Sequence, residues 1–152
     1  MEPTVDELAG IVDLFGALTR SELERALTEL AARTGRSEPA AADAIDAALE
    51  SFALLACDVD GSDGFVAGPA AFPTLPPHAE DLPHILEVPP RSPSADELAR
   101  LAGERFAAEV DQAVDANDEA HARDLLDLSY EVEAWAPVDL DDERDRLDAL
   151  CD

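Results

Sequence analysis

The chain has no lysine. All ten of its basic residues are arginine, set against 36 aspartates and glutamates in 152 residues, for a formal net charge of -26. Such a charge repels itself strongly in dilute buffer, where the Debye length is about 10 Å at 0.1 M, and is nearly invisible at about 3 Å in 1 M salt. Aromatics are scarce at 5%. The apolar residues lean towards Ala and Val, which weakens burial per residue in a setting where concentrated salt already strengthens it. Cysteine is limited to Cys57 and Cys151, which fits a reducing compartment better than a disulfide framework. No apolar run approaches membrane-spanning length, and Met1 to Glu7 lacks the basic region and apolar stretch of a secretory signal. The seven glycines fall mainly at helix ends and turns, so no phosphate-cradling loop follows a strand. No internal repeat has a convincing period.

What is present is enough to fold. Apolar residues make up 47% of the chain, and the acidic residues are spread over every segment instead of collecting in a tail. Capping chemistry marks the helix starts. Thr4-x-x-Glu7 precedes Leu8, Ile11, Val12 and Phe15 at helical spacing, and Thr19-x-x-Glu22 precedes Leu23, Ala26, Leu27 and Leu30, closed by Gly35. A third helix is expected after Ser37, with Pro39 in its first turn and Ala41, Ile45, Ala48, Leu49 and Phe52 inward. The period then changes. Leu54 to Val59, a turn over Asp60 to Gly64, and Phe65 to Ala67 read as a hairpin, so residues 4–68 make a winged-helix-like unit.

Residues 69–93 hold eight of the eleven prolines, which argues against a persisting helix or central strand. Phe72, Leu75, Leu82, Ile85, Leu86 and Val88 are too apolar for a free tether, so an ordered connector packed along the surface is expected. Residues 94–152 read as a helical region packed on the first unit. Ser94-x-x-Glu97 opens it, and an apolar stripe runs from Leu98 to Trp135 as one long helix or as a hairpin broken at Asn117-Asp118. Pro137 ends the stripe, and a last short helix spans Asp139 to Leu150.

Few constellations carry chemistry. Asp58, Asp60 and Asp63 resemble the start of a calcium loop, but Asp63 stands where Gly is needed and Pro69 where a bidentate Glu should close it. His78, Glu80, Asp81 and His84 crowd into seven residues and are the candidates for a metal or acid-base site, although their spacing matches no metal motif. His121 lies on the apolar stripe and reads as an inter-helix hydrogen-bonding residue. No nucleophile is placed by pattern beside a base. A winged-helix pattern raises DNA binding, but the exposed stripe of the third helix is Asp43, Asp46 and Glu50. Nucleic-acid contacts would have to use Arg20, Arg25, Arg33 and Arg36, of which Arg33 pairs by spacing with Glu29 and Arg25 with Glu22.

Four blocks carry a resemblance: VDELAGIVDLFGALT over Val5 to Thr19, VAGPAAFP over Val66 to Pro73, DLPHIL over Asp81 to Leu86, and LSYEVEAW over Leu128 to Trp135. Through them the chain resembles small acidic haloarchaeal proteins known as a domain of unknown function, and looks like a full-length member. The resemblance implies a haloarchaeal cytoplasm and transfers no activity, cofactor or catalytic residue.

The sequence therefore predicts a mainly α protein of a halophilic cytoplasm: a winged-helix-like N-terminal unit, a Pro-rich strap and a helical C-terminal region. The expected role is a non-catalytic interaction or regulatory module binding a protein partner or itself, without cofactor, metal or membrane. A winged-helix DNA-binding regulator using the Arg-bearing second helix is the alternative, and a small enzyme comes third.

Overall fold

The structure is a computed structural model that describes residues 4–35, 41–71, 74–76 and 79–151. It is mainly α, with one small antiparallel sheet, and its contacts divide it into two compact units, Met1–Pro93 and Ser94–Asp152. Among the described residues no helix is long and apolar enough to cross a membrane.

In the first unit, helix α1 (Val5–Phe15) opens on a reciprocal cap: the Glu7 N–H donates to Thr4 Oγ1 at 3.0 Å and the Thr4 N–H to Glu7 Oε1 at 3.0 Å. Helix α2 (Arg20–Thr34) repeats the device with Thr19 and Glu22, at 3.1 and 2.9 Å. Each such cap contributes about 0.5–2 kcal/mol. The helices stop at Gly16 and Gly35, whose φ of 86° and 70° an L side chain rarely adopts. Helix α3 spans Ala41–Glu50. The start expected for it at Ser37 and Pro39 lies outside the described residues. Phe52 does not extend that helix: it turns at φ 63° with its ring buried, and the next residue, Ala53, donates its N–H back to the Ala48 carbonyl at 2.9 Å.

Strands β2 (Leu54–Val59) and β3 (Ser62–Ala67) follow, and β1 (Leu18–Thr19), which periodicity over two residues cannot reveal, adds to β3 in the order β1-β3-β2. The hairpin turn is tighter than expected. Val59 faces Ser62, leaving only Asp60 and Gly61 at φ 53° and 85°, the positive pair of a type I′ turn. Asp63 is thus a strand residue, directly opposite Asp58, and the two cannot serve as successive ligands of one loop. The core collects Leu8, Ile11, Phe15, Leu23, Ile45 and Leu54, all fully buried and each stabilising by roughly 1.5–3 kcal/mol.

The proline-rich segment does contain helix: a 3-10 turn at Ala79–Asp81 runs into α4 (Leu82–Leu86). Pro83 is tolerated there because it sits in the first turn, where no N–H is needed for an intrahelical bond. Ala79, Leu82, Leu86 and Val88 join the core of the first unit, and the Thr74 and Arg91 N–H groups donate to the Asp6 and Phe15 carbonyls at 3.1 and 2.7 Å. Phe72 lies outside the described residues.

In the second unit the stripe is a helical hairpin, α5 (Ala95–Ala116) and α6 (Glu119–Trp135), followed by α7 (Asp141–Cys151). Asn117 at φ 52° ends α5, and Asp118 caps α6 by accepting the His121 N–H at 3.1 Å. Phe106, Val110, Leu125, Val132, Leu140 and Leu147 are buried, and Trp135 is half-buried.

Candidate functional site

The acid-base candidates do not assemble. Glu80 and Asp81 lie exposed in the 3-10 turn and His84 is exposed on α4; His78 lies outside the described residues. Beside His84 there is an open hollow of about 480 Å3 lined also by Glu87, Val88, Pro89 and Pro90. Among the described residues the one convergence of three potential ligand groups is Glu133, Asp139 and Asp141, whose oxygens come within 4.8 Å of one another. A cation already stands among them. Arg144 donates to both oxygens of Glu133 at 2.8 and 3.0 Å and to Asp141, and its guanidinium lies 4.9 Å from the centre of the Tyr130 ring. Arg144 and the Leu140 N–H hold the Glu133 carboxyl below its usual range, and Glu133 and Asp141 raise Arg144.

The other arginines are engaged in the same way. Arg20 lies over Phe65, 5.5 Å from the ring centre, and within 4.0 Å of Glu24. Arg33 donates to Glu29 at 3.0 Å, as its spacing implied. Arg25 does not pair with Glu22; it donates to the Leu86 carbonyl at 3.5 Å, while Glu22 binds Arg91. Arg36 lies outside the described residues. Between the α5 and α6 helices, Glu109 is buried against Arg105 and meets His121 Nε2 at 3.0 Å, so His121 does link two helices. Arg100, Arg123 and Arg146 pair with Glu104, Glu119 and Asp111. Every described arginine therefore has a partner within the fold, although the contacts of Arg20, Arg100 and Arg123 lie at the exposed surface.

Arg91 has the widest reach. It donates to Glu22 at 2.8 and 3.3 Å, to Asp60 at 2.9 and 3.1 Å and to the Ala17 carbonyl at 3.0 Å. It ties the proline-rich segment to the start of α2 and to the hairpin turn. Burial alone would raise the Glu22 carboxyl, but Arg91 and the Thr19 N–H outweigh it and hold the group below its ordinary range. Arg91 is raised by Glu22, against partial burial, with help from Asp60. Sequence reasoning missed this residue. Its one signal was isolation: it is the only arginine between Arg36 and Arg100.

The face left open lies where α2, α3 and the hairpin meet. Asp43, Asp46 and Glu50 are exposed along α3, and Asp58, Asp60 and Asp63 at the hairpin end. An open groove of about 580 Å3 runs there, lined by Leu49, Ala56, Asp58, Asp63 and Phe65 with Arg20 at one wall. Strand β2 is the outer strand of the sheet. The Gly68 N–H donates to the Ala53 carbonyl at 2.8 Å, which continues the pairing of Leu55 with Val66, Cys57 with Gly64 and Val59 with Ser62. These alternate pairs exchange the ladder bonds, so the main-chain groups of Ala56 and Asp58 point away from β3. Both residues are exposed, and no described residue hydrogen-bonds to the main chain of either.

Compared with known proteins, the chain matches the model of a family of unknown function, DUF7109, over residues 6–152. No curated protein and no solved structure matches it.

Proposed function

The chain belongs to the DUF7109 family of unknown function, and we propose that it is a non-catalytic interaction or regulatory module that binds a protein partner through the face formed by α2, α3 and the hairpin. We place this module in a halophilic cytoplasm, on the strength of 36 acidic residues, ten arginines and no lysine. The observation that carries the reading is the pairing of an open groove, lined in part by Ala56 and Phe65, with an exposed strand edge. The described arginines Arg20, Arg25 and Arg33 are engaged by Glu24 and Phe65, by the Leu86 carbonyl and by Glu29, so what the face chiefly offers is apolar area, main-chain hydrogen bonds and carboxylates. These are groups that a protein surface satisfies.

One observation favours a second reading. The order α1, β1, α2, α3, β2, β3 supports a winged-helix reading, in which α3 would enter the major groove of DNA. Its exposed residues would then bring Asp43, Asp46 and Glu50 against phosphates, with the wrong sign at the closest approach.

The test is capture in molar KCl with wild type and Ala56→Arg, which fills the groove from an exposed position. A protein retained by wild type and lost by A56R supports the reading. Retention of none, or equal retention by both, refutes it. Labelled genomic fragments measured by fluorescence anisotropy in the same salt complete the experiment: selective binding of one fragment, abolished by replacing Asp43, Asp46 and Glu50 with Ala, would transfer the assignment to DNA.

A further inference from the structure

Resting on the protein-binding reading, we infer that the partner enters as an extended segment bearing arginine or lysine at alternate positions, which adds as a fourth strand to the outer edge of β2. Three independent features meet there. Ala56 and Asp58 direct unpaired main-chain donors and acceptors outward from an exposed edge, the arrangement on which an extended peptide builds a new strand. The groove on that same face is lined by Ala56, Phe65 and Leu49, giving the apolar stem of a basic side chain on the incoming strand a place to rest. Asp58 and Asp63 face each other as a cross-strand pair, and no described arginine lies within 4.0 Å of either.

That last feature selects the chemistry of the occupant. Like charges directly opposite in a non-hydrogen-bonded pair, with Cα atoms about 4.5 Å apart, destabilise a sheet. Asp60, two residues from Asp58, has Arg91. Asp58 and Asp63 are set directly against each other, and Arg20, which lines the same groove, lies over Phe65 and beside Glu24. A strand laid along β2 places its side chains on the same two faces, so a basic residue opposite Asp58 would lie beside that carboxylate and lean over Asp63. The pair then becomes half of a salt-bridged ladder instead of a repulsive one. In molar salt only contacts at ion-pair distance survive screening, so main-chain bonding supplies affinity and the carboxylates supply register.

The probe is a fluorescein-labelled eight-residue peptide of alternating arginine and valine, titrated with the full chain by anisotropy in molar KCl. Two further peptides carry N-methyl groups on one or the other alternate set of residues, and a fourth has glutamate for arginine. Methylation of the set facing β2 should abolish binding and methylation of the other set should not, a signature that only strand addition produces. Ala56→Pro removes an outward donor without touching the ladder to β3, and it should weaken binding at least about tenfold for the hydrogen bonds lost. Asp58→Asn with Asp63→Asn should weaken the arginine peptide and leave the glutamate peptide no worse. Circular dichroism confirms that each variant is folded, and the methylated pair decides the matter on the wild type alone.

The proposal is overturned if no peptide binds, in which case Asp58 serves only to keep the edge from pairing. Equal binding by both methylated peptides also overturns it. So does concentration-dependent dimerisation in sedimentation that A56P abolishes, which would make a second copy the occupant. A protein captured equally by wild type and A56P, but lost by A56R, would remove the strand edge while leaving protein binding through the groove in place.

Discussion

Replacing Arg91 with alanine removes a clamp that joins three parts of the first unit, and its cost can be worked from the geometry. The side chains of Arg91 and Glu22 are only 20% and 19% exposed, whereas Asp60 is 74% exposed. The paired charge-assisted bonds to Glu22 therefore dominate at about 1.5–3 kcal/mol, while the contact to Asp60 adds about 0–1 kcal/mol and is screened by salt. Glu22 keeps its bond from the Thr19 N–H and regains some water, which limits the loss. We expect R91A to cost about 2–3 kcal/mol. In a unit of this size each kcal/mol moves the Tm by roughly 4–8 °C, so the midpoint should fall by at least about 8 °C. The assay is thermal unfolding followed by circular dichroism in molar KCl. Arg91→Lys keeps the charge without the fork and should fall between. Combining R91A with Glu22→Gln should cost less than the sum of the two, by about 1–2 kcal/mol. The pH dependence has a definite sign. Glu22 titrates lower in the folded chain, so its contribution is fully present above the ordinary glutamate value near 4.3 and is lost as pH falls through the lowered one. The difference between wild type and R91A should accordingly shrink on acidification below about pH 4. A Tm change under about 2 °C, or strict additivity with E22Q, would refute the clamp.

Two further outcomes are expected. A Cβ at Gly10 would collide with the Thr74 carbonyl, so Gly10→Ala should lift that segment from α1, cost about 1–3 kcal/mol and expose the bonds near Thr74 to protease before global unfolding; unchanged Tm and cleavage pattern would show that the contact yields. Far-ultraviolet circular dichroism should show helix in molar KCl and its loss on dialysis to low salt, because -26 charges are screened only when the Debye length is about 3 Å; full helicity in dilute buffer would exclude a salt requirement.

What the sequence determined by itself is what neighbours along the chain decide. Thr4 with Glu7 and Thr19 with Glu22 sit three residues apart, so their caps were legible before any fold was known, as were the apolar stripes that became α1, α2, α5 and α6. The choice between one long helix and a hairpin over 95–135 was nearly legible too, since Asn117-Asp118 is a stop followed by a cap. Tertiary structure decided the rest. Arg91 and Glu22 are 69 positions apart, and no local pattern predicts that Glu22 will prefer this partner to Arg25 three residues on. The two residues of β1 form a strand only because β3 is there to pair with them. Placing Asp63 opposite Asp58, and turning Ala56 outward, required knowing that the turn has two residues, because one residue more or less would exchange which main-chain groups face β3 and which face the open edge. Long-range pairing is set by which surfaces the whole chain can bury together, and that sum is not written in any one segment.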